Sequence, residues 1–350
     1  MPKRRVTSRQ VAKKAGVSQT TVSFVLNNVE SANISQDTRD RVLQAMRDLN
    51  YVPDVAARSL AKGHTMNVGL VLVQPHNQVF IDEYIPNILT GLSQVTRQYG
   101  YRILVELIED GSDPNAFGDL IQSKAVGGMI VNNSFPAPDV LQRLLAHADD
   151  GFPIVTLNTW HPDIVSVTVD KFAGVRKVIQ HLIDMGHQRI ACIAYAPQGH
   201  DYHVQTREDI YREMLAKNGL TYDEKLMRYG AYDPETGYHA MQSLLREVTP
   251  LPTALYAMND MMAFGAMTAI HEHGLRVPDD IAVTGFDDIR LARFASPPLT
   301  TVYEPDIEHG RRAGEVLFAM INKEPPAEKH VVIDTQLIIR DSCGYQRRQP

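Results

Sequence analysis

The chain has 350 residues, 44% hydrophobic and 22% charged, enough for two or three domains with real cores. No apolar run approaches the roughly 18 residues of a membrane span, and the basic start M-P-K-R-R-V-T-S-R-Q lacks the apolar stretch of a secretory signal, so a cytoplasmic protein is expected. Two cysteines, Cys192 and Cys343, exclude a disulfide framework, and the charge is uneven: residues 1–62 hold eleven Lys and Arg against five Asp and Glu, and the remainder 24 against 36. A basic head on an acidic body points to a polyanion that meets only the head, the plain alternative being a solvated basic surface.

The elements begin with T-S-R-Q at 7–10, which has capping-box form: the Thr7 hydroxyl can cap while Gln10 reaches back to the Thr7 amide. The first helix runs through Val11 and Ala12 and stops at Ala15-Gly16, where glycine takes the left-handed conformation cheaply. Only Val17 separates that glycine from Ser18, an N-cap for a second helix. Two short helices joined so tightly read as a helix-turn-helix, the second helix entering a major groove. A third helix starts near Ser35, and its Val42, Met46 and Leu49 can close a small core over Val11, Val22 and Leu26.

The second helix, S-Q-T-T-V-S-F-V-L-N at 18–27, turns Val22, Val25 and Leu26 one way and Gln19, Thr20, Ser23, Phe24 and Asn27 the other. Gln19 can offer a bidentate amide to adenine, and Thr20 a hydroxyl or methyl. Phe24 can pack on thymine methyl groups; the alternative is packing against 28–34. Ser18, Thr21, Ser23 and Asn27 suit phosphate oxygens. Beyond Pro53, D-V-A-A-R-S-L-A-K is helix-friendly but shorter than the roughly 12–15 residues an isolated helix needs in water. Either it is a plain linker, or two copies order together at a minor groove with Leu60 wedged into a base step.

These residues carry a resemblance. V-A-K-K-A-G-V-S-Q-T-T-V-S-F-V-L-N, then S-Q-D-T-R-D-R-V-L-Q-A-M-R-D-L-N-Y-V-P, then A-R-S-L resemble the head and hinge of the lactose-repressor family of bacterial transcription regulators. The resemblance implies base reading by Gln19, Thr20 and Phe24 and intercalation by Leu60. Thr7, Tyr51 and Ala61 complete the DNA-facing set. Two residues depart from the family pattern: Asp54 replaces the usual asparagine, and Phe24 a common arginine, exchanging a guanine contact for a thymine-methyl contact.

From Asn67 the chain alternates. N-V-G-L-V-L-V, R-I-L-V-E-L-I, V-G-G-M-I-V and P-I-V-T-L-N read as strands, with a helix through Ile85, Ile88, Leu89, Leu92 and Val95. A second run follows: a helix near 174–185, strand R-I-A-C-I-A-Y, a helix near 207–217, strand T-A-L-Y-A-M, a helix near 260–273 and strand D-I-A-V-T-G-F. Two such runs predict two α/β subdomains with parallel sheets covered on both faces. Ligands bind beyond the carboxyl ends of such strands. Those ends are Gln74-Pro75, Asn132-Asn133-Ser134, Asn158-Thr159-Trp160, Met258-Asn259-Asp260 and Phe286-Asp287-Asp288. Their amides, carboxylates and one indole suit a polyhydroxylated ligand, its ring stacked on Trp160 and its hydroxyls on Asn and Asp. Arg207 can donate two aligned hydrogen bonds. Each is alternatively a cap or a surface residue.

V-D-K-F-A-G, H-L-I-D-M-G-H-Q-R-I, A-M-N-D, V-T-G-F-D-D and P-P-L-T-T-V extend the resemblance through the body. It implies a fold similar to periplasmic sugar-binding proteins, with effector contacts at Arg207, Asn259 and Asp287. Asn158 stands where aspartate is common, and Ile210 where glycine is usual. It also implies crossings between subdomains near 303 and 331, and homodimers formed through the body. The expected layout is a helix-turn-helix head at 1–50, a hinge at 51–65, one subdomain from 66–168 with 304–331, and another from 169–303 with 332–345.

Among rivals, an enzyme would need a motif the chain lacks: there is no G-x-S-x-G, P-loop, G-x-G-x-x-G or H-E-x-x-H. His200 and His203 have no clear third ligand, and His271-Glu272-His273 reads as a helix end, so no metal or cofactor is expected. A transport-type solute-binding protein would share the body but carry a signal and no head. The chain therefore reads as an effector-controlled, operator-binding regulator, most simply a repressor, with a sugar-like effector held by Asn158, Trp160, Arg207, Asn259 and Asp287.

Overall fold

The computed structural model describes residues 6–26, 32–51, 65–73, 83–108, 115–132, 138–195 and 206–345. Asn27, the hinge with Asp54, Leu60 and Ala61, the strand-end residues Gln74, Pro75, Asn133 and Ser134, and His200 and His203 lie outside the described residues.

The head is three helices: α1 (Ser8–Ala15), α2 (Gln19–Leu26) and α3 (Gln36–Asp48). Local chemistry sets their ends. Gln10 Oε1 accepts the Thr7 amide at 2.8 Å, and Gly16 ends α1 at φ 68°, a conformation that costs a residue with a Cβ. Ser18 Oγ then accepts the Thr21 amide at 3.0 Å, and Ser35 Oγ the Thr38 amide at 3.3 Å, starting α2 and α3. Val11, Ala12, Ala15, Val22, Val25, Val42 and Ala45 form the buried core, with Leu26, Met46, Leu49 and Tyr51 packed at its margin.

The body's first half runs β1 (Asn67–Val73), α4 (Tyr84–Tyr99), β2 (Arg102–Ile108), α5 (Ala116–Gln122), β3 (Met129–Asn132), α6 (Pro138–Asp149), β4 (Ile154–Leu157) and β5 (Val165–Val169). The second half runs α7 (Lys171–Asp184), β6 (Ile190–Tyr195), α8 (Arg207–Lys217), β7 (Met227–Gly230), α9 (Pro234–Glu247), β8 (Ala254–Ala257), α10 (Asp260–Glu272), β9 (Ala282–Thr284) and β10 (Thr301–Tyr303). Then come α11 (Asp306–Ile321), β11 (His330–Ile333) and β12 (Gln336–Ile338). Helix α7 starts earlier than the apolar spacing suggests because Asp170 Oδ1 caps it, accepting the Ala173 amide at 2.8 Å.

One sheet has the order β11-β5-β4-β3-β1-β2, the other β7-β6-β8-β9, and every pairing within them is parallel. In β1, Val68, Leu70 and Leu72 enter one apolar cluster and Val71 and Val73 another, so the first sheet is covered on both faces. The covering helices come very close. A Cβ on Gly265 of α10 would stand 1.8 Å from the Pro234 carbonyl oxygen of α9, so this crossing admits only hydrogen there.

The late elements return to the first half: β11 pairs with β5, while β12 pairs antiparallel with β10. Three strands of chain therefore cross between the halves, at 169–171, 303–306 and 333–336. They lie side by side. The Asp170 amide donates to the Ile333 carbonyl at 2.9 Å, and the Thr335 hydroxyl to the Asp170 carbonyl at 3.1 Å.

Candidate functional site

The outward face of α2 is where the residue types promise recognition. Gln19, Thr20 and Phe24 are exposed, Phe24 at 38%, while Val22 and Val25 beneath them close the core. Thr7 and Ser18 are exposed, and Thr21 and Ser23 half-buried. Several of these groups are already engaged. Ser18 Oγ also bonds Thr21 Oγ1 at 2.9 Å, and Gln19 Nε2 donates to Ser8 Oγ at 2.7 Å. Gln19 must leave Ser8 before presenting its full amide to a base edge. Tyr51 packs against the head core.

The second constellation gathers where strands of both sheets end at the crossings. The Tyr84 hydroxyl, at the start of α4, donates to Asn132 Oδ1 at 3.0 Å and accepts from Asn158 Nδ2 at 2.8 Å. A phenol has one proton, so the bond to Asn132 obliges Asn158 to donate, which leaves Asn158 Oδ1 buried without a partner. Asn158 sits at φ 60°, a conformation asparagine tolerates better than most residues. From the other half Lys171 places its ammonium 5.5 Å from the Tyr84 ring centre and 3.0 Å from Glu304 Oε2. Burial opposes the Lys171 charge, but the attraction of Glu304 prevails and its pKa stands above the ordinary value.

Arg207, first residue of α8, lies between two rings, 4.9 Å from the centre of Tyr195 and 5.0 Å from that of Phe286. Its Nη1 donates to the Met258 carbonyl at 3.1 Å. Tyr195 in turn stacks on Tyr232, with ring centres 4.4 Å apart. Asp287, at φ 105°, leaves the end of β9 with its amide bonded to the Val302 carbonyl. Tyr195, Tyr256, Glu304 and Asp287 together hold the Arg207 pKa above its usual range despite burial.

The structure thus brings Asn158, Arg207 and Asp287 to one place and treats two other expected residues differently. Asn259 is wholly buried as the N-cap of α10: its Oδ1 accepts the Met262 amide at 2.8 Å and its Nδ2 donates to the Tyr232 carbonyl at 3.3 Å. It acts as a cap that holds the aromatic wall. Trp160 stands apart, 64% exposed, its indole tilted against His330 at the start of edge strand β11. The rings gathered around Arg207 are those of Tyr195, with Tyr232 stacked on it, and the fully buried Phe286. Ile210 is fully buried in the core of the second half. Among the described residues no group of three or more His, Cys, Asp and Glu could hold a metal ion.

Sequence reasoning passed over Tyr84, Lys171, Tyr195 and Glu304. Lys171 and Glu304 follow directly on β5 and β10, so the rule of reading strand ends would have found them had V-S-V-T-V and T-V-Y been recognised as strands. His309 was missed as well. It is buried at the start of α11, donates from Nε2 to the Val167 carbonyl at 2.8 Å and has no partner at Nδ1. Burial lowers its pKa to about 4, so it is neutral.

Residues 7–54 match the family described as bacterial regulatory proteins, lacI family, and residues 179–343 match a periplasmic binding protein-like domain. The HTH-type transcriptional regulator CelR of Thermobifida fusca is 33% identical over 344 residues, covering 97% of this chain and 99% of that protein. The chain belongs to the lacI family of bacterial regulatory proteins. The HTH-type transcriptional repressor PurR of Haemophilus influenzae (strain PittEE) is also 33% identical, covering 96% of the chain and 98% of PurR. A lac repressor dimer bound to operator and the anti-inducer ONPF superposes with TM-score 0.82 at 27% identity, covering 97% and 99% of the two chains. A CelR–cellobiose complex gives TM-score 0.69 at 32% identity, covering 97% of this chain and all of that one. This lacI-family chain is therefore an HTH-type transcriptional regulator, and no helix among its described residues is long and apolar enough to cross a membrane.

Proposed function

We propose that this regulator is a cytoplasmic homodimeric repressor that binds a near-palindromic operator through two α2 helices and is switched by a sugar-like effector held where the body halves meet. The observation that carries the reading is the exposed Phe24, Gln19 and Thr20 face mounted on a head whose core is already closed. An apolar ring gains nothing from water and gains contact area against thymine methyls. In support of the effector, two half-buried cations and their carboxylate partners gather at the three crossings, where a ligand can alter the relation of the halves. A coupling of roughly 1–3 kcal/mol changes operator affinity about 5–150-fold. The hinge at 51–65 would transmit it by ordering at the central minor groove, Leu60 acting as the wedge and Ala61 lying beside it.

The test is to select duplexes with the intact chain and measure binding by fluorescence anisotropy at fixed salt, with and without candidate sugars. Absence of any sequence preference under all conditions ends the proposal. Phe24→Ala is expected to weaken the selected duplex by about 1–3 kcal/mol while leaving random DNA unchanged; equal losses on both count against base reading. Arg207→Gln is expected to weaken the response to an active sugar more than about tenfold, because the cation that opposes Glu304 and Asp287 at the crossings is lost. Operator affinity without ligand should stay the same. A variant that responds normally removes Arg207 from the effector site.

A further inference from the structure

The cleft holds five charged side chains within mutual electrostatic reach: Lys171 and Arg207 against Glu304, Asp287 and Asp306. The cations are already committed. Lys171 is paired with Glu304 Oε2, and Arg207 is held by two rings, the Met258 carbonyl and the pull of Glu304 and Asp287. Among the described residues carboxylates outnumber cations here, three against two, so these five groups carry one net negative charge. Its unmet needs lean the same way: three acceptors stand beside one hydroxyl, that of Tyr256, which can donate or accept. Asn158 Oδ1, Glu304 Oε1 and His309 Nδ1 are buried without partners, and each of them accepts hydrogen bonds. The Glu304 residue is only 4% exposed. A buried acceptor left unpaired costs about 1–3 kcal/mol, so what belongs here is a molecule that donates.

Resting on the effector reading above, we propose that the ligand is an uncharged polyol whose hydroxyls donate to Asn158 Oδ1 and Glu304 Oε1, and that Glu304, positioned by Lys171, excludes sugar acids and sugar phosphates. Hydroxyl groups meet the demand directly, and the half-buried Tyr195–Tyr232 pair offers a flat face to a ring's C–H groups. A carboxylate or phosphate brings acceptors to acceptors and a negative charge to a net negative, desolvated cluster. Nor does it find a free cation among the described residues, since neutralising it means breaking the Lys171–Glu304 pair and leaving Glu304 charged and alone. Glu304 is thereby the residue that sets specificity, and Lys171 the one that holds it.

The experiment uses the full chain and matched pairs: glucose with glucuronate, galactose with galacturonate, and glucose with glucose 6-phosphate, with cellobiose as a larger neutral probe. Binding is followed by melting shift and by calorimetric titration. The neutral member of any pair that binds is expected to win by more than about tenfold. Glu304→Gln should narrow that gap to within about threefold while keeping the neutral sugar, because the amide still meets a hydroxyl but no longer repels an anion. An anion that binds the unaltered chain as tightly as its neutral partner overturns the charge selection and leaves the cleft a ligand site. A folded Glu304→Gln chain with an unchanged gap overturns the role of Glu304. If none of these probes binds, the effector reading falls and takes this inference with it. The unaltered chain decides the charge question by itself, so poor folding of the variant does not protect the proposal.

Discussion

Gly265→Ala is expected to destabilise the second half of the body by about 3 kcal/mol or more, at the upper end of what added volume costs in a packed core. The new methyl would meet the Pro234 carbonyl oxygen at 1.8 Å and the Tyr238 amide at 2.7 Å. Both are backbone atoms of a regular helix and cannot turn aside like a side chain, so α9 and α10 must separate. Separation opens the cluster that Met241, Leu244, Met262, Ala266 and Ile270 share. Urea denaturation followed by far-ultraviolet circular dichroism measures the loss. A midpoint within error of the unaltered chain shows that the helices slide at little cost.

Asp260→Asn is expected to have the opposite sign. Asp260 is fully buried; its Oδ1 accepts the Thr301 hydroxyl at 2.5 Å and its Oδ2 the Ile289 amide at 2.9 Å. Burial raises its pKa from 3.8 to about 8, against the pull of those two hydrogen bonds. The folded chain therefore holds this proton more tightly than the unfolded chain. The resulting stability is complete below about pH 4 and is lost as pH rises through about 8. Asparagine imitates the protonated acid once the Thr301 hydroxyl turns to accept: its oxygen accepts from Ile289 and its amide donates to Thr301. The variant should gain on the order of 3 kcal/mol at pH 8 and lose the downward slope that is steep at pH 7 and fades above about 8. His309, lowered to about 4, works the other way and only below about pH 6.5, so it does not disturb this window. Unfolding titrations at pH 7, 8 and 9 read the slope, and a variant that is less stable with the slope intact contradicts the assignment.

The head was legible almost to the residue because its signals are local. Thr7 with Gln10, Gly16, Ser18 and Ser35 each act within four positions, and the apolar spacing of Val11, Val22 and Val42 fixes which sides meet. The body was legible as a pattern but not as an inventory. Strand β1, a run of buried apolar residues, announced itself, whereas V-S-V-T-V of β5 and M-R-Y-G of β7 are too short and too mixed to stand out before their neighbours are known. Helix α9 is stabilised by Asp233, which caps it, and by its packing on α10. Site residues divided in the same way. Arg207 and Asp287 lie at the ends of recognised strands or helices. Lys171 and Glu304 belong to crossings whose meeting depends on contacts more than a hundred residues apart. Trp160 was drawn into the cleft by chemistry alone, and its backbone carries it to the sheet margin.

The return of α11 and β11 to the first sheet fixes the order in which a ribosome can deliver finished parts. The head is complete once residue 51 has emerged, and the four-stranded sheet once residue 284 has. The six-stranded sheet, begun much earlier, must wait for residue 333 before β11 can close against β5. During synthesis neither half finishes early: the later half waits for 336–343, where β12 pairs with β10 and the buried Ser342 accepts the Thr300 amide and donates to the Val283 carbonyl, while the earlier half stays open along its β5 edge. Translation halted near residue 300 would leave a finished DNA-reading head followed by two incomplete lobes, the pieces in which protease cleavage should concentrate.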